Sequence, residues 1–397
     1  AGQLEDTKTS AIPATLHDSL MARLDRLDPL ARRVAQLGAS IGRSFHLSLL
    51  RRIFSGTEGE LRRGIDALLE AQLLHRAGAS DEALVFKHAL IQDVAYESLL
   101  KRTRQEYHGR IAEALEQGFG HLAEVEPELL AHHLEGAGAA RLEDAVRTWL
   151  KAGERAQASS SNQEAVSHLR RGLELLPALP ELPQRVELEL RLLTKLGTSL
   201  SALKGYAADE VEQAWARADA LCEQLGSTPE RFWVLWGLWA FYLVQGTHPK
   251  GLHYAERMLE LATETSVSSG EGALALELEA HFSLGLSYFF MGDDLPRARE
   301  HLEWVVERYD SERHGAAPVT GQDVGVTSRS VSALVCFQLG ALELAKQRHE
   351  EALSLSRRRG HAFSRAYALG CAAWFQLYMR DLEQAQAFAD EAVALSQ

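Results

Sequence analysis

The sequence predicts an all-α protein, in which a small helical head with one β wing precedes an α-solenoid of stacked helix pairs. Three observations predict this class. Ala, Leu, Glu and Arg dominate the 397 residues while proline is scarce, which favours helix over strand. A pattern of paired helices recurs along residues 141–397, and strand-like residues occur only near residues 73–88. The chain is too long for one compact core, so we expect at least two domains.

The head opens with signals for three helices. Asp28 and Pro29 supply an N-cap and a first-turn proline for a helix that runs to about Ile41. A short helix is predicted over Phe45–Phe54. A third is predicted over Glu60–Leu74, because its apolar residues recur on one helical face.

Two strands follow the third helix. The stretches LLHR (Leu73–Arg76) and ALVFKH (Ala83–His88) flank the polar turn AGASDE (Ala77–Glu82). Three helices followed by a two-stranded wing describe a winged-helix domain, which we assign to residues 12–100. Helical residues return after it, and we assign residues 101–140 to a helical linker.

The clearest repeat unit lies in Ala145–Leu179. Residues of defined size occur there at the spacings of the tetratricopeptide pattern, namely Trp149, Gly153, Ala165, Leu169, Gly172 and Pro177. Small residues allow two antiparallel helices to cross closely, larger ones fill the space between them, and the proline ends the unit. We therefore predict a superhelix of tetratricopeptide-like repeats over residues 141–397.

Downstream, the same pattern recurs with longer helices. Predicted turns lie at Gln245-Gly246, Met291-Gly292, Leu339-Gly340 and Met379-Arg380. The helix after each turn carries a small residue suited to close packing: Ala255, Ala298, Ala345 and Ala385. The polar stretch Asp310–Gly325 is predicted to be a loop, and Pro177–Pro183 a stiff connector.

The most apolar segment, Phe232–Val244, is shorter than the roughly 20 residues that span a membrane. Its aromatic residues recur at helical spacing, so we predict that they fill the core, with one or two left to line a groove. Three scattered cysteines indicate no disulfide framework and favour a cytoplasmic location.

Charge argues against a nucleic-acid partner. The net charge is −13, and residues 1–120 are balanced at 16 basic and 16 acidic residues, whereas phosphate-binding domains are usually basic. The predicted third helix mixes Arg62 and Arg63 with Asp66 and Glu70, which makes a poor surface for phosphate.

His132 and His133 raise the question of a metal site. Neighbouring residues on a helix point about 100° apart, so His132 and His133 cannot easily bind one ion from one face of the helix. We therefore expect packing and helix capping, and no metal.

Four blocks in order resemble one family. They are IPATLHDSLMARLDRL (Ile12–Leu27), VFKHALIQDVAYESLL (Val85–Leu100), PELLAHHLEGAG (Pro127–Gly138) and the repeat of Ala145–Leu179. Together with GYAADEVEQAWARADALCEQLG and VLWGLWAFYLVQG, they resemble the region behind the ATPase core of bacterial signal-transduction ATPases with numerous domains. The closest resemblance is to the branch fused to class III adenylate or guanylate cyclases, sometimes with a protein kinase, and it covers residues 12–265.

The resemblance implies ATP handling and cyclase output for a longer parent protein. This sequence contains no phosphate-cradling GxxxxGK[ST] motif, so we expect a non-catalytic C-terminal piece without a cofactor of its own, with ATP or ADP bound upstream. Residues 1–11 look like a leader. In relatives of this ATPase class a winged-helix histidine approaches the nucleotide phosphates, which implies that role for His88; alternatively, His88 caps the next helix or fills a domain seam.

The function that we predict is regulatory. The concave groove of the repeats binds a protein, a peptide, a signal ligand or the parent's own ATPase domain, and the winged helix relays binding to upstream catalytic domains. Two alternatives remain at this stage. They are a DNA-binding transcriptional regulator fragment and a free-standing tetratricopeptide adaptor.

Overall fold

A computed structural model of the chain describes residues 14–77, 82–226, 230–266, 270–314 and 322–395. Helices predominate in these residues, as predicted for an all-α protein. The chain divides into two compact units: unit 1 is Ala1–Ser160 with Ser167–Glu181, and unit 2 is Ser161–Val166 with Leu182–Gln397. The predicted leader, residues 1–11, lies outside the described residues.

Unit 1 opens with alternating short helices and strands. Their order is α1 (Ala14–Asp25), α2 (Pro29–Ile41), β1 (Ser44–His46), α3 (Leu47–Ile53), α4 (Glu58–Glu70), β2 (Leu74–Ala77), β3 (Ala83–Phe86) and α5 (Ala89–Glu97). The predicted start of α2 is confirmed, because the Asp28 carboxylate accepts hydrogen bonds from the backbone N–H groups of Leu30 and Ala31. Thr57 is the N-cap residue of α4 and forms a reciprocal capping box with Glu60.

The three strands form one antiparallel sheet in the order β1-β3-β2. The predicted helix over Phe45–Phe54 is wrong at its start, because Phe45 belongs to strand β1 and helix α3 begins only at Leu47. Phe45 instead pairs with Leu84 and contacts the Phe86 ring at 5.8 Å. Three residues are too few to show the alternation by which a strand is recognised in a sequence.

The predicted third helix also ends earlier than expected. Helix α4 stops at Glu70, because Gln72 adopts a left-handed backbone with φ of +56°, and Leu74 begins β2. The turn that joins β2 to β3 includes residues 78–81, which lie outside the described residues.

The rest of unit 1 is helical. It comprises α6 (Lys101–Gly118), α7 (Gly120–Val125), α8 (Pro127–Gly136), α9 (Leu142–Ala158) and α10 (Asn162–Leu175), the last of which begins in the segment assigned to unit 2. Helix α6 packs against α3 and α8, and α8 packs against α9. The predicted connector Pro177–Pro183 overlaps a 3-10 turn, Leu176–Ala178, and supplies Pro183 as the first residue of the next helix.

Unit 2 consists of consecutive helix pairs. The helices are α11 (Pro183–Lys204), α12 (Asp209–Leu225), α13 (Arg231–Gln245), α14 (His248–Ser266), α15 (Gly270–Met291), α16 (Leu295–Arg308), α17 (Val324–Gln338), α18 (Leu342–Arg359), α19 (Ala362–Tyr378) and α20 (Leu382–Leu395). Each helix packs on the next, and the odd-numbered helices also pack on one another. This two-layer stacking is the helical-repeat arrangement that the sequence predicts.

The four predicted turns between helices are confirmed. In each, one residue adopts a left-handed backbone with φ between +61° and +84°: Gly246, Gly292, Gly340 and Arg380. Glycine has no Cβ to oppose this conformation, which explains three of the four residues. The predicted small residues that follow the turns, Ala255, Ala298, Ala345 and Ala385, are buried.

The aromatic segment fills the core of unit 2, as predicted. Phe232, Trp236, Trp239, Phe241 and Tyr242 are buried on α13, and the half-buried Trp233 packs against the same core. None of the described helices is both long and apolar enough to cross a membrane.

The predicted loop over Asp310–Gly325 is wrong at its C-terminal end. Helix α17 starts at Val324, because the Asp323 carboxylate accepts hydrogen bonds from the backbone N–H groups of Gly325 and Val326. Its first turn is buried, which an unpatterned polar loop would not allow. Residues 315–321 of the predicted loop lie outside the described residues.

Candidate functional site

A charged cleft in unit 2 is a candidate binding site. It has a volume of about 620 Å³ and lies among α16, the turn after it, α17 and α18, a size within the range of sites for small ligands and short peptide segments. Its lining residues are Val306, Glu307, Tyr309, Ser311, Arg329, Arg348, Glu350, Glu351, Ser354, Leu355 and Arg358. Most of them are polar or charged, so the cleft suits a polar ligand.

Arg329 on α17 is one of two nearly buried cations of the cleft. Only 14% of its side chain is exposed, and its guanidinium donates hydrogen bonds to the carbonyls of Gly325 at 2.9 Å and Val306 at 3.2 Å. Burial lowers the pKa of Arg329, although the carboxylate of Glu351 at 3.6 Å acts in the opposite direction. The arginine is thus fixed in place and joins α16 to α17.

Arg348 and Glu303 form a bidentate ion pair beside Arg329. The Arg348 Nε–Glu303 Oε1 distance is 3.0 Å and the Nη2–Oε2 distance is 2.5 Å, with side chains 13% and 18% exposed. Burial opposes ionisation of Glu303, but hydrogen bonds from Arg348 and Ser332 lower its pKa overall. Two parallel charge-assisted bonds hold α16 and α18 in one geometry.

The exposed rim of the cleft carries charges of both signs. Arg358 is exposed and donates a hydrogen bond to the neutral Ser354 hydroxyl at 2.9 Å. Glu307 and Glu350 are exposed carboxylates of the same rim. A ligand with both a carboxylate and a cationic group can therefore bind the rim in one orientation.

A buried hydrogen-bond network centred on Asp323 lies behind the cleft wall. The Asp323 carboxylate accepts hydrogen bonds from Tyr309 Oη at 2.8 Å and Arg359 Nε at 3.1 Å. Its backbone N–H donates to Ser364 Oγ at 2.8 Å. Burial and the nearby Asp323 carboxylate raise the pKa of Tyr309. Since Tyr309 also lines the cleft, this network connects the cleft to α19.

Glu279 on α15 is a second buried acid next to this network. Its carboxylate accepts one hydrogen bond from Gln322 Nε2 at 3.4 Å, and the residue is 3% exposed. Burial raises the pKa of Glu279 to about 8, the hydrogen bond from Gln322 acts the other way, and the Asp323 carboxylate adds to the increase. A carboxyl group with this pKa is mostly protonated at neutral pH.

Five aromatic residues form a partly exposed patch across the C-terminal ends of three odd-numbered helices of unit 2. Two of them are exposed, two are half-buried (Phe337 and Tyr378) and Phe289 is buried. The patch comprises Phe289 and Phe290 of α15, Phe337 of α17, and Trp374 and Tyr378 of α19, with ring centroids 5.0–6.1 Å apart along the chain of contacts. Phe290 is 44% exposed and Trp374 38% exposed, and the adjacent Leu377 is 53% exposed. Exposed apolar patches of this kind mark interaction surfaces.

The residues predicted to define the first repeat lie on α9, on α10 and in the turn that follows. Gly153 and Leu169 are buried in contact with each other, Ala165 and Gly172 are buried, and Pro177 stands in the 3-10 turn that ends the pair. Trp149 is half-buried and stacks on His168 with ring centroids 5.4 Å apart.

His88 stands apart from these features. It occupies the N-cap position of α5, is exposed, and its side chain makes no capping hydrogen bond. On α4, Arg62 and Arg63 are exposed beside the exposed carboxylates of Asp66 and Glu70. That face therefore carries mixed charge, as the sequence indicates.

Sequence reasoning missed three groups that the fold assembles. Helix packing places His108 of α6 beside His132 and His133, pairs Arg348 with Glu303, and buries Asp323. Only Asp323 had a local signal, because an aspartate directly before an apolar stretch is typical of a helix N-cap. The other two groups join residues 24 or more positions apart, which spacing along the chain does not reveal.

No protein-family model matches the chain. An uncharacterized protein of Rhizobium meliloti (strain 1021) is 25% identical over 391 residues, which cover 96% of this chain and 36% of that protein. The chain thus spans about a third of the length of this curated relative.

Several solved structures are similar in fold. One is the signal transduction ATPase with numerous domains with a tetratricopeptide repeat sensor from Pyrococcus horikoshii, with a TM-score of 0.41 and 12% identity over 98% of this chain and 60% of that one. The apo form of RapI has a TM-score of 0.48 and 10% identity over 96% of this chain and 86% of that one. NprR in complex with its cognate peptide NprX has a TM-score of 0.45 and 11% identity over 87% of each chain. The similarity concerns the helical-repeat fold alone.

Proposed function

We propose that the helical repeats of unit 2 bind a protein or peptide partner and have no catalytic role. The observation that carries this proposal is the aromatic patch, in which Phe290 and Trp374 are exposed and their ring neighbours support them from below the surface. Tryptophan, tyrosine and other aromatic side chains supply much of the binding energy in protein interfaces. Here they lie on helices that already pack on one another, so the partner meets a preformed surface.

The charged cleft supports the same proposal. Arg329 and the Arg348–Glu303 pair hold its walls in one geometry, while Arg358 and Glu307 leave charges of both signs at the rim. A peptide offers both apolar side chains for the patch and charged groups for the cleft. A small apolar ligand would take water away from the exposed rim charges of Glu307 and Arg358 without replacing its hydrogen bonds, which is unfavourable.

We further propose that unit 1 begins with a winged-helix domain that relays binding to catalytic domains elsewhere in a longer protein. The order α2, β1, α3, α4, β2, β3 supports it, with β1 and β2 flanking β3 in one antiparallel sheet. The resemblance to signal-transduction ATPases fused to nucleotide cyclases supplies the identity of those domains. Under this proposal a partner shifts the upstream ATPase only if it binds the two states with different affinity.

His88 fits such a relay as a sensor of nucleotide phosphate. Its imidazole is exposed at the N-terminus of α5 and is not engaged in capping that helix. An imidazole N–H placed there can reach a phosphate oxygen of ATP or ADP bound by a neighbouring ATPase domain. The nucleotide itself would be held by that domain.

The test of partner binding uses a phage-displayed library of random 12-residue peptides selected on the immobilised chain. Peptides that bind the wild type are then measured against Trp374→Ala by fluorescence anisotropy. We expect at least a tenfold increase in Kd, because truncating a central aromatic of an interface typically costs about 2 kcal/mol or more.

The matched control is Phe363→Ala. Phe363 lies on α19 as well and is 48% exposed, but it stands about 16 Å along the helix from Trp374. Its removal should leave Kd unchanged. Selected peptides that bind wild type and Trp374→Ala equally would refute the assignment of the patch as the binding surface.

A further inference from the structure

Three histidines of unit 1 meet where α6 packs against α8. His108 comes from α6, and the neighbouring His132 and His133 come from α8. Each offers a ring nitrogen, and these three atoms lie within 4.8 Å of one another. The ring centroids are 5.0–5.5 Å apart in all three pairs. Although His132 and His133 leave the helix in different directions, both rings therefore reach His108.

The surrounding residues fix the position of His108. It is 2% exposed, and its Nε2 lies 2.9 Å from Tyr96 Oη. Gly136 of α8 lets the helix approach the ring, because a Cβ there would come within 2.5 Å of His108 Cγ. A histidine ligand usually hydrogen-bonds an oxygen through its other ring nitrogen, which orients the ring. Tyr96 is placed to do so.

The inner nitrogens face each other. His108 Nδ1 and His133 Nδ1 are 2.9 Å apart, so at most one proton fits between them and a lone pair of the other points into the same space. His133 is completely buried, and its Nε2 finds no hydrogen-bond partner among the described residues. The cluster is thus not a hydrogen-bond network in which every polar atom is satisfied.

We propose that His108, His132 and His133 form a binding site for a divalent transition-metal ion, with Zn²⁺ as the ion that this ligand set favours. Zinc binds imidazole nitrogen at about 2.0–2.1 Å, and three histidines with one open position are an established zinc ligand set. Two tetrahedral ligands stand roughly 3.3 Å apart, so the 2.9 Å Nδ1 pair has to open by a few tenths of an ångström. The ring of His132, whose nitrogen lies within 4.8 Å of the other two, has to move towards them. His132 is exposed, which leaves access for the ion and for a water ligand.

Such an ion would join α6 to α8. These helices connect the sheet-containing part of unit 1 to the first repeat pair, because α6 packs on α3 and α8 packs on α9. An ion that binds only the folded chain stabilises it in proportion to the logarithm of its concentration. The proposed site is therefore a metal-dependent cross-link between α6 and α8 within unit 1.

The test titrates the chelator-treated chain with Zn²⁺ in competition with a chromophoric chelator, and with Co²⁺ followed by its visible absorption. We expect one equivalent of tightly bound zinc and a tetrahedral cobalt band. His132→Ala should weaken zinc binding at least tenfold; since the side chain is exposed, the variant should keep the wild-type circular dichroism. Tyr96→Phe, which removes only the outer hydrogen bond, should weaken zinc binding about tenfold.

His75→Ala is the control, because His75 is an exposed histidine of unit 1 outside the cluster. It should bind zinc as the wild type does. A second histidine pair, His281 and His301 of unit 2, has Nδ1 atoms 2.8 Å apart and serves as a competing location. The proposal is overturned if His132→Ala binds zinc as tightly as the wild type, or if zinc binding is lost in His281→Ala instead.

Discussion

Gly153 of α9 lies so close to Leu169 of α10 that a Cβ on the glycine would stand 2.6 Å from Leu169 Cδ2. The two residues occupy the crossing point of the first repeat pair, and both are buried. A side chain as small as a methyl group has no room there unless the helices separate. This contact explains why the repeat pattern requires glycine at one position and a large residue at the other.

Replacing Gly153 with alanine should therefore destabilise unit 1. We expect the free energy of unfolding to fall by about 1–3 kcal/mol, as for overpacking elsewhere in protein cores, and urea denaturation followed by circular dichroism measures it. Gly370→Ala in α19 is the matched control, because a Cβ there meets nothing within 4 Å. That variant should gain about 0.5–1 kcal/mol from helix propensity. Equal effects at the two positions would contradict the packing argument.

Arg348→Ala should destabilise unit 2 through the carboxylate that it leaves behind. Glu303 is only 18% exposed and would keep a single hydrogen bond from Ser332, so a loss of about 1–3 kcal/mol is expected on urea unfolding. The double variant Arg348→Leu with Glu303→Leu should lose less than the two single leucine variants added together, because no charge then remains unpaired.

Lys346→Ala provides the comparison for that ion pair. Lys346 contacts Glu343 at 3.0 Å, with side chains 42% and 88% exposed, so its removal should change stability by less than about 0.5 kcal/mol. A loss as large as that of Arg348→Ala would show that burial does not set the strength of these pairs.

Glu279 should make the stability of unit 2 depend on pH. Its pKa is raised from 4.5 to about 8, so between these values the folded chain retains a proton that the unfolded chain has released. The proton on Glu279 therefore favours the folded state most at the acidic end of this window, and this stabilisation is lost as the pH rises through about 8. Histidines with lowered pKa, such as His281, change the stability in the opposite direction. The pH dependence of the wild type alone therefore does not isolate the contribution of Glu279.

Glu279→Gln isolates this contribution. Glutamine keeps the shape and a hydrogen-bonding group but does not titrate, so the free-energy difference between variant and wild type should change from pH 5 to pH 8 in favour of the variant. Urea unfolding at both pH values measures it. A constant difference across this range would mean that Glu279 is not protonated in the folded chain.

His88→Ala should speed the release of ADP from a longer protein that carries an upstream ATPase domain. The His88 imidazole is exposed and makes no capping hydrogen bond. The substitution therefore removes no buried contact, and unit 1 should keep its stability. Stopped-flow displacement of a fluorescent ADP analogue gives the off-rate, with His75→Ala as the control. Unchanged off-rates in His88→Ala would dismiss the sensor role.

The helix pairs were predictable because their signals are local. Gly246, Gly292 and Gly340 mark turns whose left-handed backbone glycine adopts without strain. Asp28 and Pro29 likewise mark the start of α2. In each case the residue acts on its own backbone or on that of its neighbours, so the sequence alone carries the information.

The strand Ser44–His46 could not be predicted in this way. Its residues have no pattern of their own, and the strand exists because its backbone pairs with β3, whose residues lie 37–41 positions later in the chain. The same holds after the end of α4. Leu74 begins strand β2 because its backbone pairs with that of Phe86.

The sequence by itself determined the helical-repeat class, the position of its turns and the burial of the aromatic helix, since backbone preference and apolar periodicity act over a few residues. Only the tertiary structure decided which polar side chains meet. His108 reaches His133, Arg348 reaches Glu303 and Asp323 reaches Arg359 because packed helices bring distant turns together. The close approach of such groups depends on how helices cross, and the linear order of residues does not encode that geometry directly.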